Sequence, residues 1–262
     1  MMNRQILNLG LMTVVIIVLI VSALVLQPVR TGTRTNVSML NIGQGDSFLI
    51  QAPNGKQLLI DGGRDATVLS ELAKVMPAGD HSIDVVIATH PDADHIGGLP
   101  LVLRRYQVGL FLTSHVDSDT QTFKELFATL LSKRVPSYYV RHGMLLTLDT
   151  KNKTTFSILF PDRDTANWET NNASVVGRLQ AGDRSALFTG DSPLSIEHYL
   201  AQTYPADIDV DILKLGHHGS KTSSSEEYLR VTSPILALIS AGVNNRYGHP
   251  HQEVLDRLQK LQ

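Results

Sequence analysis

The chain reads as a layered α/β sandwich preceded by one membrane-spanning helix. Short β-branched strands alternate with amphipathic helices over most of its length, and strands in neighbouring groups can pack on one another with the helices outside. The third observation is an apolar run, Ile6 to Leu26, broken only by Asn8, Thr13 and Ser22.

At a helical rise of about 1.5 Å per residue, that run crosses a hydrocarbon core of about 30 Å. It exceeds the roughly 7–15 residues of a signal-peptide core, although Val21-Ser-Ala23 has the small residues of a cleavage site. Residues 1–30 are therefore expected to be a membrane anchor, with a cleaved signal sequence as the alternative. A short amino-terminal tail before a long domain places that domain outside the cytoplasm, while Arg4 on one side and Arg30 and Arg34 on the other leave the charge balance undecided. Residues 31–36 belong to a polar linker, and residues 37–262 form one domain.

With 262 residues, 42% of them hydrophobic, one domain of ordinary size can bury a core. The net charge of −2 excludes a global basic field for nucleic acid but not a local basic groove. No Cys is present, so disulfides and thiolate ligands are excluded, and His and carboxylate are the strong metal donors.

Val37 to Ile42, Ser47 to Gln51 and Gln57 to Asp61 are predicted strands joined by Gly43-Gln-Gly-Asp46 and Pro53-Asn-Gly55. Ala66 to Met76 carries a helical apolar stripe and ends at Pro77. Ile83 to Ala88 is a buried strand. Leu99 to Arg105 and Thr122 to Leu131 are helices around a strand at Val108 to Thr113, with further strands near Val135 to Val140 and Met144 to Leu148. The second half has strands at Phe156 to Phe160, Ser174 to Leu179, Ser185 to Phe188, Val210 to Leu215 and Ile235 to Ser240. Its helices are Pro193 to Gln202, Ser225 to Val231 and Gln252 to Leu261. No solenoid-like repeat of roughly 20–50 residues interrupts this order.

Where Ile83 to Ala88 stops, His90, Asp92, Asp94 and His95 follow within six residues. Four such side chains at a strand end outweigh a chance polar loop, and imidazole with carboxylate suits Zn²⁺ or, with more carboxylate, Mn²⁺ or Fe. In extended backbone His90, Asp92 and Asp94 would project to one side and His95 would turn with the chain, which allows two divalent ions. Gly97 and Gly98 would let the backbone turn sharply after the last ligand. A pair of ions needs a further carboxylate and a further imidazole at other strand ends. Asp191 after Thr189-Gly190, and the His217-His218 pair after Val210 to Leu215, supply candidates.

The run Thr-His-Pro-Asp-Ala-Asp-His-Ile-Gly-Gly (89–98) resembles the His-x-His-x-Asp-His signature of metallo-β-lactamase-fold hydrolases, with Asp92 where most members carry the second His. Leu40-Asn-Ile-Gly-Gln-Gly-Asp-Ser47, Ile60-Asp-Gly-Gly63, Thr189-Gly-Asp191, Leu215-Gly-His-His-Gly-Ser220 and Asn245-Arg-Tyr-Gly-His-Pro-His251 extend the likeness to the hydrolase domain of ComEC competence proteins, over roughly Val37 to Leu261. The resemblance implies a four-layer αββα sandwich with two divalent metal ions, Zn or Mn, held by His90, Asp92, Asp94, His95, Asp191 and His217, with Asp191 bridging. It leaves His218 for the substrate. Where the wider family has a third-motif His, about twenty residues before the bridging Asp, this chain has Asn171-Asn172, as ComEC-like domains do.

A hydroxide formed between Asp94 and Asp191 would be the nucleophile, since paired cations lower the pKa of water from about 15.7 towards 7. Asn172, His218 and Ser220 would contact phosphate or leaving group, and His249 would approach from the opposite side, with His251 less close. Asp46 and Asp61 are expected to orient ligating imidazoles from behind. His115 and His142 lack motif context and read as ordinary histidines. The expected function is phosphodiester hydrolysis, with DNA as the substrate the resemblance implies and no protein partner inferred. Alternatives are a small-molecule or cell-wall phosphoesterase of the phosphorylcholine-esterase kind and, from another class, a non-catalytic membrane-anchored binding protein.

Overall fold

A computed structural model of the chain describes residues 33–260. The expected anchor at residues 1–30 lies outside the described residues, as does the start of the linker. Among the described residues no helix is long and apolar enough to cross a membrane.

Among the described residues twelve strands form two mixed sheets of six. The first contains β1 (Asn36–Met39), β2 (Phe48–Gln51), β3 (Gln57–Ile60), β4 (Ser82–Ala88), β5 (Gln107–Thr113) and β6 (Ser137–Tyr139), in that order. Pairing is antiparallel from β1 to β3 and parallel from β3 to β6. The second sheet runs β12 (Leu236–Leu238), β11 (Ile212–Lys214), β10 (Arg184–Phe188), β9 (Val176–Ala181), β8 (Thr154–Phe160), β7 (Leu145–Asp149). There β10, β11 and β12 are parallel and the rest antiparallel.

Strand alternation divides the core into three layers. Leu49, Leu59 and Val86 face a cluster completed by the helices α1 (Thr67–Val75), α3 (Leu99–Arg105) and α4 (Gln121–Lys133). Their neighbours Phe48, Ile50, Leu58, Ile60, Val85 and Ile87 face the other way, onto Phe156, Ile158, Leu179, Ala186 and Phe188 of the second sheet. On the far side Phe160, Leu187 and Leu213 pack under α5 (Leu194–Thr203), α6 (Pro205–Ile208), α7 (Glu226–Thr232) and α8 (Gln252–Gln259). Fully burying a Leu, Ile or Phe side chain contributes about 1.5–3 kcal/mol, so these three interfaces supply the main driving force.

The strands predicted from periodicity are all present, with boundaries shifted by a few residues. Two readings of the central loop change. Asp94 and His95 lie in a short helix, α2 (Ala93–Ile96), which Asp92 precedes as the N-terminal flanking residue with φ −70° and ψ 144°. Extended-chain alternation therefore does not aim Asp94. Gly97 and Gly98 have ordinary helical φ angles of −62° and −81°. What they provide is close approach: a Cβ on Gly97 would lie 2.0 Å from the Arg64 carbonyl oxygen, and one on Gly98 would lie 2.2 Å from that of Gly62.

Candidate metal centre

The C-terminal ends of β3, β4, β10, β11 and β12 deliver the site, because parallel strands bring their following loops to one edge. Backbone bonds lock these loops together. Gly62 N–H donates to the His95 carbonyl at 2.7 Å, Asp46 N–H to that of Asp94 at 3.3 Å, and Val175 N–H to that of Thr89 at 2.9 Å.

At the centre stands the buried carboxylate of Asp191. His95 Nε2 lies 3.3 Å from its Oδ1. Its Oδ2 is 3.3 Å from His218 Nε2, 3.7 Å from His217 Nε2 and 3.9 Å from His90 Nε2. Asp94 Oδ2 is 3.7 Å from His218 Nε2, and Asp92 Oδ2 is 3.8 Å from His90 Nε2. Gly190, at φ 50° with Thr89 and Ser174 against it, makes the turn that presents Asp191.

Each imidazole is held from behind through Nδ1. Thr89 donates its hydroxyl to Asp61 Oδ2 at 2.7 Å, so its oxygen is left to accept from His90 Nδ1 at 3.0 Å. His95 Nδ1 donates to Asp61 Oδ2 at 2.8 Å, and His218 Nδ1 to the Ser240 carbonyl at 2.9 Å. His217 Nδ1 is 3.2 Å from Thr222 Oγ1. With Nδ1 of His90, His95 and His218 engaged from behind, Nε2 is the atom that each of these rings turns towards Asp191, where it can take a proton or a metal ion. The Nε2 atoms of His90, His95 and His218, together with Asp191 Oδ1, are buried without a hydrogen-bond partner. Orphaned polar atoms of this kind are costly unless something binds them, and converging imidazoles and carboxylates are the donor set of a divalent cation. The residues fit a metal.

Electrostatics agree. Burial opposes charge on His95 and His218, but the Asp191 carboxylate, aided by Asp61 or by Asp46 and Asp94, outweighs it and holds both pKa values well above the ordinary imidazole range. His90 goes the other way, pushed well down by burial and by neighbouring His95. Burial raises Asp191 and Asp94, yet the surrounding His95 and His218 lower both on balance. The centre thus draws positive charge to the Nε2 positions, and a divalent cation satisfies that demand.

Sequence reasoning passes over Lys214. It is fully buried at the end of β11, ion-paired to Asp46 Oδ2, donating to the Gly190 carbonyl at 2.7 Å and standing 3.7 Å from Asp191 Oδ1. Its signal was a lysine inside the apolar run Val210 to Leu215, since buried lysines are almost always paired. Asp46 reaches the backs of the rings, with Oδ1 3.4 Å from His218 Nδ1 and Oδ2 4.0 Å from His95 Nδ1. Although its oxygens are close enough to group with His95, Asp191 and His218, they face Nδ1 atoms, whereas Asp191 faces Nε2.

The remaining candidates separate. The His249 ring is 5.5 Å from His217 and 6.2 Å from His218, with a buried, unpartnered Nδ1. Burial, then the adjacent imidazoles, lower its pKa to about 4. His251 Nδ1 accepts from Lys221 N–H at 3.1 Å, one step further out. Ser220 is buried and its hydroxyl pairs with that of Thr222 at 2.9 Å. Asn172 is half-buried with its N–H 3.4 Å from Glu169 Oε2. His115 bonds Asp164 and stacks on Tyr139, and His142 bonds the Leu159 carbonyl, as ordinary histidines do. The division that gives His217 to metal and His218 to substrate is not the one the geometry favours, because His218 is the more deeply buried and its Nε2 is closer to Asp191.

The sequence profile described as the metallo-beta-lactamase superfamily matches residues 40–242. The chain is 35% identical to ComE operon protein 3 of Bacillus subtilis (strain 168), covering 86% of this chain and 30% of that protein. It is 30% identical to competence protein ComA of Neisseria gonorrhoeae, covering 85% and 29% respectively. The chain therefore spans about a third of the length of these curated relatives. Among solved structures, the metallo-beta-lactamase fold protein YhfI of Bacillus subtilis superposes with a TM-score of 0.56 at 18% identity, covering 87% of this chain and 91% of that one.

Proposed function

The chain belongs to the metallo-beta-lactamase superfamily, whose members are in general metal-dependent hydrolases, and from that premise we propose that it is a phosphodiesterase of the ComEC nuclease-like type working with two divalent ions, Zn or Mn. The observation that carries this reading is the convergence of the buried, unpartnered His90, His95 and His218 Nε2 atoms on Asp191.

Such ions, when bound, supply Lewis acidity to a phosphoryl oxygen and acidify water at neutral pH. The chain's own residues do the rest. Asp61 and Thr89 fix the His90 and His95 tautomers, Ser240 fixes that of His218, and Lys214 balances Asp46 so that the carboxylates can remain ionised together. Arg64, half-exposed and 3.8 Å from Asp94 Oδ1, offers a guanidinium for a non-bridging phosphate oxygen. His249, neutral at pH 7, is suited to a hydrogen bond with the leaving oxygen rather than to delivery of a stored proton.

A polynucleotide is favoured over a small phosphoester by the outer rim. The exposed Tyr247 ring is nearly parallel to His249, centroids 5.6 Å apart, and the Arg246 guanidinium lies 4.9 Å from the Tyr247 ring centre. Aromatic faces beside positive charge are how single strands are gripped without sequence preference. On this reading the run Ile6 to Leu26 ties the hydrolase to a membrane, which alkaline extraction of the membrane fraction tests.

The deciding experiment is hydrolysis by the metal-loaded full chain of single-stranded DNA, bis-p-nitrophenyl phosphate and a β-lactam. Cleavage of the two phosphodiesters, abolished in Asp191→Asn, is expected. Turnover of the β-lactam alone would end the proposal.

A further inference from the structure

The edge of the sandwich opposite the metal centre is basic. Strands β3 to β6 run parallel, so their N-terminal ends share that edge. Helices α3 and α4 close there in Arg104-Arg105 and Lys133-Arg134, just before β5 and β6 begin. Arg104, Arg105 and Lys133 line one groove of about 810 Å³ with Asp80, His81 and Tyr106. The neighbouring turns are tied to the same edge. Gln57 Nε2, at the start of β3, donates to Asp80 Oδ2 at 2.8 Å. Asn54 N–H donates at 3.1 Å to Asp149 Oδ2, at the foot of the β7–β8 turn that carries Lys151 and Lys153. The hydroxyls of Thr35 and Thr154 meet at 2.9 Å.

Most acidic groups on this edge are engaged within the fold. Asp80 also accepts the Ser82 N–H, Asp149 accepts that of Asn152, Asp84 pairs with Lys56, and Glu125 pairs with Arg104. Arg34, Arg105, Lys133, Arg134, Lys151 and Lys153 are exposed, and none of them forms an ion pair with an acid among the described residues. Exposed Asp183 lies in the β9–β10 turn, and exposed Asp207 and Asp209 precede β11. The excess of positive charge therefore belongs to the first sheet and the β7–β8 turn.

The chain also enters the domain at this edge, through Thr35 and then β1. Arg34 stands eight residues beyond Leu26, the end of the apolar run, a stretch that reaches no more than about 29 Å even when fully extended. On the opposite side, β4 (Ser82–Ala88) rises by about 3.3 Å per residue, which puts about 20 Å between the basic edge and His90. A polynucleotide held on the basic edge would lie that far from the metal centre, so this charge does not deliver it there. A broad anionic surface beside the point of chain entry fits better. Each Lys or Arg brought to an anionic bilayer strengthens binding by about fivefold.

We propose that this edge docks on the anionic lipid headgroups of the membrane to which Ile6 to Leu26 ties the chain, so that the metal centre faces the aqueous phase on the far side. The proposal rests on the membrane tether in the proposed function and not on the reaction.

The chain has no Cys, so one introduced thiol carries a fluorophore at one place. Ser132→Cys puts it beside Lys133 on the basic edge, and Val243→Cys, at a residue 93% exposed, puts it beyond Ser240, whose carbonyl holds His218. The labelled full chain is placed in nanodiscs of phosphatidylglycerol or phosphatidylcholine that carry a headgroup-attached quencher. In phosphatidylglycerol the label at residue 132 should be strongly quenched and that at 243 little. Quenching at 132 should fall in phosphatidylcholine and on raising salt from about 0.05 to about 0.5 M. Lys133→Gln, Arg134→Asn, Lys151→Gln and Lys153→Asn together should lower docking by about 100-fold or more; Asn is used where φ is 56° and 50°. Equal quenching at the two places, or quenching at 132 indifferent to lipid charge and salt, overturns the docking. Neutralisation that leaves quenching intact but weakens binding of single-stranded DNA would assign the edge to nucleic acid and overturn it as well. If alkaline extraction releases the chain, the tether fails by itself. Docking is then read as salt-sensitive binding of the full chain to phosphatidylglycerol vesicles, whose absence overturns it.

Discussion

Asp61 Oδ2 stands 2.8 Å from His95 Nδ1, with both side chains fully buried, and the same carboxylate accepts the Thr89 N–H and hydroxyl at 2.8 and 2.7 Å. One carboxylate thereby orients His95 directly and His90 through Thr89. Burial raises its pKa above the ordinary range, the neighbouring His95 only partly offsetting this. Asp61→Asn keeps the left-handed backbone, φ 58°, that Asn tolerates, but it removes the charge and one acceptor. Loss of such a support typically costs about 10–100-fold in metal affinity or activity. Chelator competition and steady-state kinetics should both show a loss of that size, and an unchanged affinity would remove Asp61 from this role.

Lys214 should matter to stability before it matters to rate. Truncating one member of a buried ion pair strands the other and costs about 3–5 kcal/mol. Lys214→Met should lower urea-unfolding stability by about that much, and Lys214→Met with Asp46→Asn should recover part of it, because the uncompensated carboxylate is gone. Equal stability of Lys214→Met and the parent would show that the pair is not buried as the structure has it.

Gly45 couples the β1–β2 loop to the metal centre through shape. Its φ is 123°, and a Cβ there would lie 2.0 Å from the Asp94 carbonyl oxygen. Gly43, at φ 79°, has open space around it. Gly43→Ala should cost about 1 kcal/mol of backbone strain and leave metal binding alone. Gly45→Ala should in addition displace Asp94, seen as metal affinity reduced tenfold or more by calorimetry. Equal effects of the two substitutions on affinity would contradict the close approach.

Glu197 gives the fold a pH dependence. It is buried in α5, accepts the N–H groups of Ser224 and Ser225 at 2.6 and 3.0 Å, and burial raises its pKa from 4.5 to about 7. Below pH 4.5 it is protonated in both folded and unfolded chains and adds no slope. Between 4.5 and about 7 the folded chain alone keeps the proton, so its contribution to stability falls as pH rises and is lost above the folded value. The total is about 3 kcal/mol, from about 1.4 kcal/mol per unit. Glu197→Gln should therefore gain on the parent by about that amount between pH 4.5 and 8 in chemical unfolding. A constant difference across this range would mean that Glu197 is ionised throughout.

The elements, and the places where chemistry leaves them, are legible in the order of residues alone. Strand periodicity in Ile83 to Ala88 and Val210 to Leu215, each ending in histidines, is a local property, because the side-chain period and the turn that ends a strand depend on neighbouring residues. The ComEC-like motifs added the order in which those ends meet. Which imidazole faces inward, and by which nitrogen, depends on contacts between segments far apart in the chain. His218 is oriented by the carbonyl of Ser240, whose own hydroxyl donates to Gly45 from across the chain, and no local pattern encodes that approach. The same holds for Lys214, a strand residue whose buried charge is compensated only where Asp46 is brought to it, and for Gly97 and Gly98, whose use is contact with the Arg64 and Gly62 backbones rather than a turn. Charge compensation, tautomer and close packing depend on groups distant in sequence, and they exist only once the two sheets have met.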